Sequence, residues 1–351
     1  MISELISHRS VIVCCGSGGV GKTTMAASIG LAAATLGKRV VVITVDPARR
    51  LGDALGLEHG LGPDPARVAL PSDVSGELWA MMLDPAVELE RVIRTTAVRP
   101  GQADEALANP FTQSIATSLG GTQEYMATEA VYRLTTDEAF DLVVVDTPPS
   151  DRAMAVVEAP DVLVKFLDHQ VFKLLMGTGG RAARFLSAAT QPLLKAVGRV
   201  IGSNVLNDVV EFLRSFTGME TSFRQRAITV QRMWRSESTA FVLVATPTSE
   251  SLNEISRFNG ELRSAGISSM SLIANGVTKL PESVDDHHEL PPVAKEWLSW
   301  QSALVESERS TLEAHSDKLP MVTQVSRLSE DIHDVDGLLL LASQLVPANS
   351  N

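Results

Sequence analysis

The segment at residues 11–27, VIVCCGSGGVGKTTMAA, combines residue types and spacing that point to a chemical function. Four glycines lie within positions 16–21, and a lysine and two threonines follow at once. This is the G-x-x-x-x-G-K-[ST] pattern, in which backbone N–H groups cradle phosphates, the lysine reaches the β- and γ-phosphates and the hydroxyl ligates Mg²⁺. We therefore expect a site for a nucleoside triphosphate and Mg²⁺ at Gly16, Ser17, Gly18, Gly19, Val20, Gly21, Lys22, Thr23 and Thr24.

A strand before this loop and a helix after it must position these residues. Residues 11–15 are apolar and bounded by glycine, which predicts a buried strand, and the alanine-rich run from Lys22 predicts a helix that Gly37 ends. Apolar runs predict further strands at 40–45, 78–83, 142–145, 241–245, 270–274 and 321–325. Because several runs are continuously apolar and helical segments separate them, we predict an α/β fold. It would be a P-loop NTPase with a mostly parallel sheet flanked by helices.

Two connections between predicted strands are much longer than a crossover needs, and both have a helical pattern. We expect them to form a helical insertion subdomain from residues 86–138 and 152–238. A polar, proline-rich stretch at about 279–292 predicts a surface insertion. The whole chain, 1–351, would then be a single P-loop domain.

Two aspartates, Asp46 and Asp146, directly follow predicted strands. Ligands of open parallel sheets bind beyond the carboxyl ends of the strands. A carboxylate after four apolar residues, as in LVVVD, is typical of the second Mg²⁺-side group of a P-loop NTPase, so we expect Asp146 and Thr23 to serve the metal. The alternative is that Asp146 caps the following turn.

Composition excludes several classes of function. The net charge of −12 argues against binding to nucleic acid. The two cysteines are adjacent, at positions 14 and 15, which excludes a cysteine-based zinc or iron–sulfur site. No apolar run approaches the roughly 20 residues that span a bilayer, and the first ten residues lack a signal-peptide core. We expect a cytoplasmic protein that meets membranes only through a partner.

Three other patterns have competing interpretations. The run DDHHE at residues 285–289 predicts a solvated acidic loop rather than a metal site. Trp297 and Trp300 have helical i, i+3 spacing, which predicts core positions rather than a ligand cage. The apolar helices of the second insertion could line a groove for a hydrophobic protein client, or bury against the sheet or a partner.

Four segments, GSGGVGKTT, DPARRLGDAL, DTPPSDRAM and LIANGV, resemble in order and spacing the ArsA-like family of arsenite-pump and tail-anchored-protein-targeting ATPases. In motif detail the chain is most similar to the actinobacterial ArsA-like pair. The resemblance implies ATP and Mg²⁺ as ligands and a dimeric assembly. It makes residues 46–53 a first switch that includes Asp46, with Asp53 orienting the hydrolytic water.

The same resemblance implies roles for residues nearer the end of the chain. Residues 146–152 would form a second switch, with Asp146 on Mg²⁺ through water. Asn275 would read the adenine edge, and the segment near Ser326 and Arg327 would pack on the base. The cysteines that clasp zinc or bind metalloids in members of the family are missing here.

Ser17 departs from the family pattern G-K-G-G-V-G-K-T, whose first lysine crosses the dimer to the partner's phosphates. A serine cannot neutralise charge on the γ-phosphoryl group. Either hydrolysis in a homodimer is slower, or a lysine-bearing ArsA-like paralogue completes a heterodimer. We expect an ATP-hydrolysing nucleotide switch; the alternative is a nucleotide-binding regulatory or scaffold subunit with little turnover. A septum-site or plasmid-partition ATPase would need a basic C-terminal helix, and the tail of this chain is acidic.

Overall fold

The computed structural model describes residues 2–46, 50–57, 60–110, 112, 121–136, 140–169, 211–212, 214–268, 270–281, 291–328, 332 and 334–346, with the backbone alone at 150–152. The strands in these residues are β1 Val11–Gly16, β2 Arg39–Thr44, β3 Ala66–Arg67, β4 Glu77–Met82, β5 Leu142–Asp146, β6 Thr239–Ala245, β7 Met270–Val277 and β8 Val322–Ser326. They form one sheet in the order β3-β4-β2-β5-β1-β6-β7-β8. All neighbouring pairs are parallel except β3 and β4. The α/β fold with a mostly parallel sheet is confirmed.

One or more helices connect most pairs of consecutive strands, and β3 leads directly into β4. In the described residues they are α1 Ile2–His8, α2 Lys22–Thr35, α3 Arg50–Ala54, α4 Pro85–Thr96, α5 Gln102–Ala108, α6 Thr122–Thr136, α7 Ser150–Asp168, α8 Glu220–Arg235, α9 Ser249–Ser264, α10 Pro292–Ala314 and α11 Val335–Leu345. The central strands β1, β5 and β6 are buried along their whole length, which follows from their continuous apolar sequences and the helices that flank the sheet.

Helix α2, which follows the glycine loop, is buried on nearly all sides. Its alanine and leucine residues suit a helix that contacts β2 on the sheet and α11. Gly37 ends it with φ +81°, while the Gly37 and Lys38 amides donate to the carbonyls of Ala34 and Ala33, as in a Schellman motif. The loop is therefore anchored at its C-terminal end by a helix fixed in the core.

Three features differ from the sequence predictions. The sheet has an additional two-residue strand, β3, and the N-terminal residues form α1. The prediction that Trp297 and Trp300 are core residues is wrong, because they are 50% and 64% exposed on α10. The DDHHE run at 285–289 lies outside the described residues, as does most of the surface insertion predicted at about 279–292, whose last residue, Pro292, begins α10.

The chain divides into two compact units. The first contains Met1–Met82, Leu134–Met154 and Arg235–Asn351, and includes the whole sheet. The second contains Leu83–Arg133 and Ala155–Trp234. The helical-insertion boundaries and the single-domain organisation inferred from the sequence stay predictions.

The second unit has its own apolar core and a set of buried ion pairs. Glu88 on α4 accepts hydrogen bonds from Arg133 on α6 at 3.1 and 3.2 Å. Glu129 on α6 accepts from Arg226 on α8 at 2.7 Å and from the Tyr125 hydroxyl. Burial raises the pKa of Glu129, and the Arg226 charge opposes that rise. These pairs tie α4, α6 and α8 together within the unit.

Candidate nucleotide-binding site

The glycine loop between β1 and α2 has a backbone that other residues could not adopt easily. Gly19 and Gly21 have φ values of +80° and +88°, where glycine carries little strain. A Cβ at Gly16 would lie 2.3 Å from the Val244 carbonyl oxygen on β6. At Gly18 and Gly19 no described atom lies within 4 Å of a Cβ position. One side of the loop is thus pressed against the sheet, and the other is open to a ligand.

Lys22, the first residue of α2, lies within the curl of this loop and is only 8% exposed. Its Nζ donates a 2.7 Å hydrogen bond to the Ser17 carbonyl oxygen. Burial lowers the pKa of the Lys22 ammonium, and the nearby Asp146 carboxylate opposes the shift. The Ser17 hydroxyl is also buried and has no hydrogen-bond partner in the described part of the chain.

Asp146 ends β5, which lies between β1 and β2 in the sheet. Its Oδ2 accepts hydrogen bonds from the Thr23 and Thr44 hydroxyls, both at 2.9 Å. Its Oδ1 is buried without a hydrogen-bond partner among the described residues. Burial raises the pKa of Asp146 to about 6, although both hydrogen bonds and the Lys22 charge act in the opposite direction.

The parallel register explains why these side chains meet. Asp146 is paired with Cys14 on β1 and with Thr44 on β2, so three strand ends converge beside the loop. Thr44 was not predicted from the sequence. Its signal was a single polar residue at the end of an apolar strand, two positions before Asp46.

The two aspartates expected in the first switch have different surroundings. The Asp46 amide donates to the Thr44 hydroxyl at 3.2 Å, and its carboxylate lies 3.9 Å from Arg50. Asp53, on the short helix α3, is exposed. The structure therefore joins Asp46 to the group around Asp146 through Thr44. The role of Asp53 in hydrolysis stays a prediction.

Asn275 lies near the end of β7 and contacts the loop. Its Nδ2 donates a 2.8 Å hydrogen bond to the Val20 carbonyl oxygen. In the segment expected to pack on a base, the Ser326 amide donates to Gln344 and the Arg327 amide to the Val277 carbonyl. The contact of Asn275 with the loop was not foreseen from the sequence.

The residues present fit a nucleotide phosphate chain with Mg²⁺. The loop provides an open glycine backbone and the Lys22 ammonium. Beside it, Asp146 Oδ1 is buried without a described hydrogen-bond partner, while Oδ2 accepts from the two threonine hydroxyls. The described residues contain no group of three or more His, Cys, Asp or Glu side chains that could hold a metal ion. Mg²⁺ usually binds through one or two protein groups together with substrate phosphates, which suits this donor set.

A glycine loop that joins the first central strand to a buried helix, beside an aspartate at the end of the neighbouring strand, defines a P-loop NTPase. The family model described as Anion-transporting ATPase matches residues 9–345, and the chain belongs to this ArsA ATPase family. The protein is accordingly an ATPase, and the resemblance noted from its motifs is confirmed.

Curated relatives agree with this assignment. The chain is 29% identical over 290 residues to the ATPase GET3 of Malassezia globosa, covering 82% of this chain and 79% of that protein. It is 26% identical over 330 residues to the ATPase get3 of Schizosaccharomyces pombe, covering 93% and 89%. It is also 27% identical over 338 residues to the arsenical pump-driving ATPase of Acidiphilium multivorum. That match covers 95% of this chain and 49% of the relative.

No helix in the described part of the chain is both long enough and apolar enough to cross a bilayer.

Proposed function

We propose that this chain is a Mg²⁺-dependent ATPase that works as a dimeric nucleotide switch in the cytoplasm. The observation that carries this proposal is the Asp146 carboxylate, which Thr23 and Thr44 hold through one oxygen while the other remains buried without a described partner. A buried carboxylate oxygen is costly unless it is paired. A water ligand of Mg²⁺ would provide the missing partner.

Different residues of the site would bind the phosphates and Mg²⁺. The backbone N–H groups from Gly16 to Thr24 and the Lys22 ammonium would bind the phosphates, with Lys22 exchanging the Ser17 carbonyl for phosphate oxygens. The Thr23 hydroxyl would hold Mg²⁺ directly and Asp146 would hold it through water. Bound Mg²⁺ supplies positive charge that neutralises the phosphate oxygens. Asp53 would orient the attacking water.

The helical unit would be the part that responds to the nucleotide. Helix α7 begins four residues after Asp146 and runs from Ser150 to Asp168. It therefore connects the second switch, residues 146–152, covalently to the helical unit. On this helix Val162 and Phe166, one turn apart, are 60% and 56% exposed. Exposed apolar side chains at this spacing support a hydrophobic protein client. With a net charge of −12 we propose no nucleic-acid partner, and membrane contact only through another protein.

A second candidate function is a nucleotide-binding regulatory or scaffold subunit with little turnover of its own. Ser17 favours it, because the family lysine at this loop position is replaced by a small neutral side chain. In this case the chain would form a heterodimer with a lysine-bearing paralogue, which would supply the missing charge.

Magnesium-dependent ATP hydrolysis by the purified chain tests the first proposal. Asp146→Asn preserves the size of the side chain but removes its charge, so we expect it to abolish the stimulation of hydrolysis by Mg²⁺. Asp141→Asn is the matched control, because Asp141 precedes the same strand at its other end and accepts from the Arg39 amide at 2.8 Å. Equal Mg²⁺ stimulation in Asp146→Asn and the unmodified chain would contradict the proposal.

A further inference from the structure

The contact between Asn275 and the glycine loop is closer than recognition of a base requires. The Nδ2 atom of Asn275 lies 2.8 Å from the Val20 carbonyl oxygen. A Cβ placed on Gly21 would lie only 2.4 Å from the same nitrogen. The Asn275 amide therefore contacts the Val20–Gly21 peptide, one residue before Lys22 and the start of α2.

A local irregularity of β7 accompanies this placement of Asn275. Strand β7 is separated from β1 by β6. Its pairing with β8 is regular as far as Asn275, which is opposite Val325, and then shifts before Val277, opposite Ser326. Gly276, at the shift, has φ +75°. Bulges of this kind re-aim a neighbouring side chain and are common beside active sites.

We infer that Asn275 is a positioning residue for the phosphate-binding loop. In a trans peptide the carbonyl and the following N–H point in opposite directions. By holding the Val20 carbonyl, Asn275 therefore also fixes the direction of the Gly21 N–H. Gly21 has no Cβ to restrict its backbone, which adopts a φ of +88° here. This role rests on the proposed nucleotide site and adds a group that acts on the phosphates through the loop.

A ligand without a base separates this role from recognition of adenine. The affinity of inorganic pyrophosphate with Mg²⁺ would be measured by competition against a fluorescent ATP analogue. Because one amide–carbonyl hydrogen bond is lost, we expect Asn275→Ala to weaken pyrophosphate, ADP and ATP by a similar factor of about three to ten. The preference for ATP over GTP should stay unchanged.

Asn259→Ala is the matched control for a loss of general stability. Asn259 lies on α9, outside the glycine loop, and is buried. Its Nδ2 donates a 2.9 Å hydrogen bond to the Lys318 carbonyl oxygen. We expect this variant to bind pyrophosphate as the unmodified chain does. Thermal unfolding of both variants would show whether their losses of stability are comparable.

Combining Asn275→Ala with Gly21→Ala tests the contact itself. The Gly21→Ala methyl group meets the Asn275 amide, and it carries backbone strain in any background. Asn275→Ala removes the clash with the methyl group but leaves the backbone strain. The loss of pyrophosphate affinity in the double variant should therefore be smaller than the product of the two single losses. Losses that simply multiply would overturn the inferred contact.

The outcomes also distinguish this inference from the proposed function. An unmodified chain that binds neither ATP nor pyrophosphate would overturn the proposed function, and the role of Asn275 with it. An unmodified chain that binds both, with unchanged pyrophosphate affinity in Asn275→Ala, would overturn the role of Asn275 alone. A collapse of the ATP preference in that variant would then assign Asn275 to the base.

Discussion

The Asp146 side chain illustrates how a strand end can make a carboxylate unusual. It is almost completely buried, and the two threonine hydroxyls do not compensate fully for the lost water. Its pKa is therefore raised to about 6 from the ordinary 3.8. Above about pH 6 the folded chain carries the negative charge that Mg²⁺ would need, and burial of that charge costs stability.

The titration of Asp146 predicts a pH dependence of stability in the chain without nucleotide or Mg²⁺. Between pH 3.8 and about 6 the unfolded state has lost this proton while the folded state keeps it, so stability falls as pH rises through this window. The loss amounts to about 3 kcal/mol and levels off above pH 6. Denaturant unfolding of the unmodified chain and of Asp146→Asn, compared across this range, measures it. A constant difference between the two would contradict the raised pKa.

Asp53 provides a test of chemistry apart from binding. Asp53 is exposed, so Asp53→Asn should leave the fold and ATP affinity nearly unchanged. If it orients the attacking water, hydrolysis should fall while binding persists. Single-turnover hydrolysis and calorimetric binding of ATP would be compared in the same preparation. Equal losses of both would assign Asp53 to the fold or the metal, and full activity would remove it from the mechanism.

Helices and strands with a clear local sequence pattern could be predicted from the sequence. Continuous apolar runs such as 142–145 mark strands covered on both faces, and the glycine spacing marks the loop that follows β1. Strand β3 could not be predicted, because two exposed residues carry no periodic pattern. Trp297 and Trp300 show the opposite limit, since periodicity identifies the face of a helix but not whether that face is covered.

The candidate site could be predicted only in part, because some of its contacts join residues that are far apart in the sequence. The loop residues and Asp146 follow from spacing along the chain. Thr44 becomes part of the group only through the register of β2 with β5. The bond from Asn275 to Val20 joins residues 255 positions apart and lies beside the irregularity at Gly276, and no local pattern encodes such a contact.

Two glycines in helix interiors provide a paired test of packing. A Cβ at Gly30 of α2 would lie 2.6 Å from Val42 and 3.0 Å from Leu78, so Gly30→Ala should destabilise the fold by about 1–3 kcal/mol. Gly260 of α9 has no described atom within 4 Å of a Cβ, so Gly260→Ala should stabilise by about 1 kcal/mol. Denaturant midpoints measure both changes. Similar effects at the two sites would mean that α2 is not packed closely on the sheet.

At the scale of the whole molecule, Ser17 decides between the two proposed functions. If a partner's lysine is required, Ser17→Lys alone should hydrolyse ATP faster than the unmodified chain, provided that two copies associate. Cations supplied in trans contribute about 10³–10⁵ in related phosphoryl transfers, so the gain should be large. Ser17→Gln, which is long but neutral, separates the effect of charge from that of size.

Hydrolysis rates would be measured together with molecular mass by light scattering, so that association and activity are known for each variant. An unmodified chain that already hydrolyses ATP as fast as Ser17→Lys would make Ser17 a residue of the turn only. It would also favour a self-sufficient homodimer over a subunit that depends on a paralogue.

The strand order has a consequence for how this protein is made on the ribosome. The glycine loop is synthesised before most of the sheet, and the neighbours of β1 in the described sheet, β5 and β6, both emerge later. Strand β6 begins about 220 residues after the loop, which at 5–20 residues per second is a delay of roughly 11–45 s. A nascent chain that stops before Ala245 therefore contains every residue of the loop but lacks a strand that holds it. The strand order therefore predicts that nucleotide stabilises this protein only late in synthesis.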